Sequence, residues 1–472
     1  MKTTDLIKDV LLVYLSQEHS DYLISERLDY GMKRVPKLGF MYLAAVLGEK
    51  GVHAHIMDQE LQPFTFEDLA GRLQKEKFGF IGFYSTTAIK SKLLRYIKRL
   101  RLSNIDIPII VGGPGYFAAQ EYLEAGCDIV CRGEGEITIC EIVNYFNGVT
   151  RDIEEVKGIY YRKDGQMKTT QAQDLIQNLD TLPFPRRDST FKEGKFYDFH
   201  IFNMRTPYTT MVTSRGCPHR CTYCSSHNVW ENKVRLRSPE NVIAEIEYCV
   251  KEFGLRYIGF RDDMFGMDKK WLERFSELAV RLKHRVLWSA MVHPFSFRGN
   301  RVEAMRLLKD AGCDMLIFGL QSAHPEILKN IRRSPQEPDE LAETVKLAKK
   351  NNISTVIEFI FGLPGETEET MSTSIDYILK VKPHYAQFNV LSVLEGSRIE
   401  EEFRNRRICK FSNSEIKKWC ARASRHFYSN PALVFQDFAH VLSKNPLWFF
   451  RIAGHSLYLL KYLGFKKNKI KR

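Results

Sequence analysis

At 472 residues the chain is several times longer than one hydrophobic core needs, so several domains are expected, and 44% hydrophobic against 27% charged residues reads as a globular, water-soluble protein. The net charge of +13 is concentrated near the end: from Glu401 to Arg472 sixteen lysines and arginines face four acids, an excess of +12. The remaining body is close to neutral, which argues against a general nucleic-acid binder.

The opening "MKTTDLIKDVLLVYL" holds an apolar run of only about five residues, too short for an export signal and suited to a first buried strand. The expectation is a cytoplasmic, reducing setting, where regularly spaced cysteines serve as metal ligands or reactive thiols more often than as disulfides. Residues 1–148 alternate short apolar runs, such as "VLLVYL", "HAHIMD", "FGFIGFYS", "IPIIVGG" and "CDIVCRGEGE", with helix-length amphipathic stretches. That rhythm predicts an α/β, doubly wound, Rossmann-like domain, with ligands held at the carboxyl ends of its strands. Those ends carry "FYSTTA", "VGGPG" and "RGEGE".

Residues 149–203 read as a linker with some structure of its own: a hairpin around Asp164-Gly165, then "LDTLPFPRR", whose prolines stop any helix. From 204 to 395 strand candidates return as "TTMVTSRG", "YIGFRDD", "VLWSAMV", "MLIFGLQS", "TVIEFIFGLPG" and "AQFNVLSV". Helices lie between them, among them one that Ser238 caps, Pro239 opens and Gly254 ends. Six strand-helix units predict a partial (βα)6 TIM-like barrel with its chemistry at the strand carboxyl ends. Residues 396–472 read as a helical, basic region.

Cys217, Cys221 and Cys224 follow the first barrel strand within "TSRGCPHRCTYCSSHNVW". A structural zinc site needs a fourth ligand, for which His219 and His227 compete. Three thiolates can instead hold three irons of a 4Fe–4S cluster and leave the fourth iron for another molecule. The remaining cysteines, Cys127, Cys131, Cys140, Cys249, Cys313, Cys409 and Cys420, read as small apolar residues, the last two in terminal helices.

The spacing C-x-x-x-C-x-x-C, with aromatic Tyr223 before the last cysteine, resembles the signature of the radical S-adenosylmethionine enzymes. The resemblance implies that the three cysteines ligate the cluster and that its open iron binds S-adenosylmethionine. It places Asp262 and Asp263 of "FRDDMF" where the family recognises the methionine amino group. It puts Gln321 and Ser322 where many members have Glu-Ser beside the ribose and carboxylate. Gly362 and Gly365 of "FIFGLPGETEETM" fall in the turn along the adenine, with Glu366 and Thr367 starting the next helix.

A doubly wound domain ahead of such a barrel resembles the cobalamin-binding branch of that family. Ser85 and Thr87, and the pair Gly112 and Gly113, match its turns lining the nucleotide tail of cobalamin. The branch's Asp-x-His-x-x-Gly frame is missing: "SQEHSDY" offers only His19, read as a solvated loop histidine. The resemblance implies a methyltransferase acting on an unactivated carbon, through a 5′-deoxyadenosyl radical and methylcobalamin. Alternatives are a cobalamin-using cyclase or rearranging enzyme, and a radical methylthiotransferase acting on tRNA. The last should carry a second cysteine trio near its start and a small β-barrel at its end. Implied partners are a small-molecule or lipid-like substrate and an electron donor such as flavodoxin or ferredoxin. In the tail, Trp448, Phe449, Phe450 and Tyr458 stand among Lys444, Arg451 and Lys461, which reads either as a helical cap packed on the barrel or as peripheral contact with the inner face of a membrane.

Overall fold

The computed structural model describes residues 6–17, 37–188, 207–293, 296–333 and 338–444. His19 and the tail beyond 444 lie outside them. In chain order the elements begin β1 (Asp9–Tyr14), α1 (Leu38–Glu49), β2 (His53–Asp58), α2 (Phe66–Lys75), β3 (Ile81–Tyr84), α3 (Lys90–Leu102) and β4 (Ile109–Gly112). Then come α4 (Ala119–Glu124), β5 (Ile129–Cys131), α5 (Gly135–Phe146), β6 (Ile159–Lys163) and β7 (Gln166–Thr169).

These strands form one sheet in the order β2-β1-β3-β4-β5-β6-β7. The first five run parallel, and β6 and β7 join them antiparallel. Alternation along β1 sends Val10 and Leu12 into one apolar core and Leu11 and Val13 into the other, because successive side chains of a strand point to opposite faces. Burial on both faces is the doubly wound arrangement expected from the apolar runs. The strand order reverses between β1 and β3, the place where such sheets open a crevice at their carboxyl ends. The predicted hairpin is present, with Asp164 at φ 52° and Gly165 at φ 75°, but it does not stand apart as linker: β6 pairs with β5.

The chain continues through β8 (Tyr208–Met211), β9 (Ser214–Arg215), α6 (Ser226–Trp230), β10 (Arg235–Leu236), α7 (Pro239–Phe253), β11 (Tyr257–Phe260), α8 (Lys269–Val280) and β12 (Leu287–Val292). Ser238 caps α7 by accepting from Asn241 N at 3.1 Å, and Gly254 ends it at φ 63°. Strands β8, β11 and β12 pair in parallel, and β9 pairs antiparallel with β10. Next are α9 (Arg301–Asp310), β13 (Cys313–Gln321), α10 (Pro325–Asn330), α11 (Pro338–Lys350), β14 (Ser354–Phe361), α12 (Glu368–Val381) and β15 (Tyr385–Val390). Strands β13, β14 and β15 also pair in parallel. Six parallel strands alternating with helices match the (βα)6 expectation. The described residues end with α13 (Arg398–Phe403), α14 (Asn413–Tyr428) and α15 (Pro431–Lys444), helices as expected for this region. Cys409 sits in the turn between α13 and α14 rather than in a helix.

Two compact units divide this chain. The first takes 1–292, 307–313 and 393–404, so the Rossmann-like sheet and the cysteine segment share it; the second takes 293–306, 314–392 and 405–472. No helix among the described residues is long and apolar enough to cross a membrane.

Candidate functional site

The cysteine loop grows out of the β9–β10 hairpin. Gly216 stands at φ 101°, and a Cβ there would lie 1.9 Å from the Lys233 carbonyl oxygen, so only glycine lets the two strands close behind Cys217. Cys221 is buried, while Cys217 and Cys224 are half-buried. The Cys217 thiol lies 3.3 Å from Met264 Sδ. Burial pushes that thiol up to about 11, helped by Asp263, Cys221 and Cys224 and opposed by a backbone hydrogen bond at His219. Among the described residues no three His, Cys, Asp or Glu side chains gather as they would around a single metal ion. A cubane does not ask for that: each thiolate takes a different iron, so a partly buried three-sulfur set fits it.

Asp262 fastens the start of this segment. Its Oδ1 accepts from Thr213 N and Oγ1 and from Ser214 N and Oγ, which ties the end of β8 to the end of β11. Its Oδ2 is buried with no protein partner, and burial raises the carboxyl above its ordinary range despite those donors. Neighbouring Asp263 is exposed, and its Oδ2 accepts from Ser226 Oγ at 3.2 Å. The loop that carries both is anchored by Phe265, whose ring stacks on Phe260 at 5.1 Å.

A strap from 393–404 crosses the same loop. Ile399 N donates to Thr222 O at 3.0 Å, and Asn228 Nδ2 donates to Gly396 O. Glu395 reaches Lys90 at 2.6 Å, on the helix after β3.

At the strand ends of the first sheet, Gly112 and Gly113 differ. Gly113 has φ 92°, and a Cβ on it would meet the Ser85 carbonyl oxygen at 2.9 Å; at Gly112 the nearest neighbour would be Cys131 Cβ at 3.8 Å. The Ser85 hydroxyl is fully buried and hydrogen-bonded to the Tyr122 hydroxyl, so it locks the turn instead of standing open at the strand end. Burial raises Tyr122 to about 12, so it stays protonated. Thr87 opens a short 3-10 turn ahead of α3. At the switch point, Ser16 after β1 is held by Gln59 and by Lys92 Nζ on α3.

In the second unit, Gln321 ends β13 at φ 73°, beside a register shift in the pairing with β14. A residue other than glycine in that region is strained. The Ser322 hydroxyl is fully buried, accepts from His324 N at 3.2 Å and lies 3.5 Å from Ser374 Oγ. After β14, Gly362 and Gly365 take φ 97° and 84°. Glu366 closes the turn from inside: Oε2 accepts from Gly362 N at 2.5 Å and Leu363 N at 3.1 Å, while Oε1 is buried without a partner. Burial pushes this carboxyl up to about 7, against those two bonds.

Comparison with known proteins bears on this arrangement. Residues 211–378 match the radical SAM superfamily, and residues 33–143 match the B12 binding domain. The chain therefore carries a B12 binding domain followed by a radical SAM domain. An uncharacterized methyltransferase of Pyrococcus horikoshii is 29% identical over 426 residues, 85% of this chain and 90% of that one. An anaerobic magnesium-protoporphyrin IX monomethyl ester cyclase of Cereibacter sphaeroides is 23% identical over 78% of this chain and 60% of its own. Among solved structures, the radical S-adenosylmethionine methyltransferase TsrM of Kitasatospora setae, with cobalamin and a [4Fe-4S] cluster bound, shares the fold. Its TM-score is 0.67 at 17% identity, over 84% of this chain and 74% of that one. A second TsrM structure holds tryptophan substrate and a SAM analogue.

The three cysteines, Tyr223, Asp262 and Asp263 belong to the first unit, as do the strand-end residues of the B12-binding sheet. Gln321, Ser322, Gly362 and Gly365 belong to the second unit. Sequence reasoning did not find Met264 against Cys217, the strap, or the partners of the "RGEGE" loop, Glu134 with Arg215 and Arg235 and Glu136 with Arg215. Those ion pairs join residues 79 to 101 positions apart, and no local spacing signals them.

Proposed function

We propose that this protein is a cobalamin-dependent radical SAM methyltransferase that methylates an unactivated carbon of a small or lipid-like molecule. The observation that carries this reading is the cysteine loop built into the same compact unit as a B12-binding sheet. When bound, the cluster and S-adenosylmethionine supply a 5′-deoxyadenosyl radical and cobalamin supplies the methyl group. Cys217, Cys221 and Cys224 would hold the cluster, with Tyr223 beside it. Asp262 keeps the loop's entry closed and offers one buried carboxylate oxygen to a cationic group of the ligand; Asp263 stands next to it. Gln321, Ser322, Gly362 and Gly365 would shape the nucleoside side, Ser322 by fixing backbone rather than through its tied hydroxyl. Gly112, Gly113 and Thr87 would form the rim facing the nucleotide tail of cobalamin, with Ser85 holding that turn from inside. The electron would come from a small donor of the flavodoxin or ferredoxin kind.

Anaerobic reconstitution with cobalamin and S-adenosylmethionine carrying a labelled methyl group tests the reading. Formation of 5′-deoxyadenosine with label in a product is expected. A product oxidised or cyclised without label would favour the cyclase reading, which the C. sphaeroides relative supports. Tail contact with an anionic membrane is proposed as well, since α15 leads into the aromatic and basic tail with Val434 and Phe435 exposed. Full-length protein should float with anionic liposomes and not with neutral ones, and protein ending at Asn430 with neither.

A further inference from the structure

The "RGEGE" loop leaves β5 at the carboxyl edge of the B12-binding sheet, and its two glutamates do not face solvent. Glu134 Oε1 accepts from Arg215 Nη1 at 2.6 Å, and its Oε2 from Arg235 Nη1 at 2.7 Å and from Ile176 N at 2.7 Å. Glu136 Oε1 accepts from Arg215 Nη2 at 2.6 Å. Arg215 and Arg235 face each other across β9 and β10, the hairpin from which the cysteine loop springs, and Arg215 stands two residues before Cys217. Side-chain exposures are 2% for Glu134, 8% for Glu136, 10% for Arg215 and 5% for Arg235. Arg215 also lies over the Tyr42 ring at 5.2 Å, on α1 of the same sheet's outer layer, and Arg235 over Trp230 at 5.5 Å, at the far end of the cysteine loop.

Burying this many charges is poor value as stabilisation, because desolvation roughly cancels the attraction, whereas losing one partner leaves a buried charge alone. What such a network does well is specify one geometry: a guanidinium fork spanning two carboxylates accepts little sliding or rotation.

We infer that Glu134 and Glu136 are positioning residues that register the base of the cysteine loop against the B12-binding sheet, and so set the separation and orientation of the two cofactor sites. The inference rests on the two-cofactor reading above. Transfer between two bound groups depends steeply on their placement, so a loosened register uncouples radical formation from methylation before it unloads either cofactor.

Holoprotein reconstituted anaerobically with cluster and cobalamin provides the test, with Glu134→Gln and Glu136→Gln beside wild type. Pulsed EPR of the reduced cluster and cob(II)alamin reads their separation directly. Expected are iron, sulfide and cobalamin contents within about two-fold of wild type and a broadened or shifted separation, more so for Glu134→Gln, which weakens contacts to two arginines. The ratio of 5′-deoxyadenosine to methylated product should rise several-fold. Full loading with an unchanged separation in both variants overturns the inference; a purely structural role would lower thermal midpoint and loading together. Should Glu134→Gln lose both cofactors, Glu136→Gln decides alone, since it leaves the Glu134 bonds to Arg235 and Ile176 in place. Wild type failing to load cluster or cobalamin would overturn the two-cofactor reading instead.

Discussion

The cysteine loop and the glycine turn after β14, both proposed to hold a ligand, are themselves held in opposite ways. The glycine turn carries its own brace: Glu366 reaches back four and three residues to Gly362 N and Leu363 N. The cysteine loop has short internal bonds, Cys224 N to Cys221 O at 3.2 Å and Ser226 N to Cys224 Sγ at 3.4 Å, but its base is held from far along the chain. Its base rests on glutamates 79 to 101 residues away, on Asp262 about fifty residues ahead, and on a strap 168 residues ahead. The turn's brace is local in sequence, whereas the base of the loop depends on partners spread over the whole unit.

The sharpest way to separate the two is to remove the loop's chemistry. Replacing any one of Cys217, Cys221 or Cys224 with Ala should abolish 5′-deoxyadenosine formation while leaving cobalamin binding within about two-fold, because the B12-binding strand ends do not use these thiols. Retained cleavage in all three variants would dissolve the distinction. Chemical analysis of bound corrinoid beside the nucleoside assay reads both.

Next in size is steric. Gly216→Ala drives a Cβ against a fixed carbonyl at 1.9 Å from a positive φ, and should cost about 3 kcal/mol or more. Gly365→Ala meets the movable amide of Asn330 at 2.5 Å and should cost about 1–2 kcal/mol. Urea unfolding measures both, and equal losses would mean the loop's base is no more constrained than the turn.

A further effect, below that of Gly216→Ala, concerns pH. Glu366 has a folded-state value raised from 4.5 to about 7, so its favourable contribution is complete below about 4.5 and lost as pH rises through 7. Glu366→Gln keeps an oxygen for the two amides and never ionises; it should flatten the stability profile between about pH 5 and 8 and gain about 1–3 kcal/mol at the alkaline end. Parallel profiles for the two proteins would show the carboxyl to be solvated.

Much of this fold was legible. The apolar runs located β1 through β5, Ser238, Pro239 and Gly254 delimited α7, and Asp164-Gly165 announced its hairpin, because each depends on residues within a few positions. The cysteine spacing and glycine turn were legible for the same reason. Features set by distant residues were not, and two of them show why. The hairpin's place in the first sheet depends on β5 offering an open edge, which no residue in the hairpin records. The hydroxyl of Ser85 was expected to face a ligand, but Tyr122, 37 residues on, takes it inside. Polar side chains at strand ends are read wrongly whenever a distant partner competes for them.

The strap carries a consequence for how the protein is made. A ribosome delivers the chain from its N-terminus at roughly 5–20 residues per second, so the 168 residues between Asn228 and Gly396 take roughly ten to thirty seconds. Throughout that interval the three thiols exist on a nascent chain whose closing segment has not been synthesised. Timed thiol alkylation of stalled chains should find Cys221 reactive before Arg404 emerges and protected after, while Cys127, sealed inside the first sheet's core, is protected earlier. The expected order is that the B12-binding sheet is synthesised well before the strap that crosses the cysteine loop, which leaves the thiols open to a delivery partner in between.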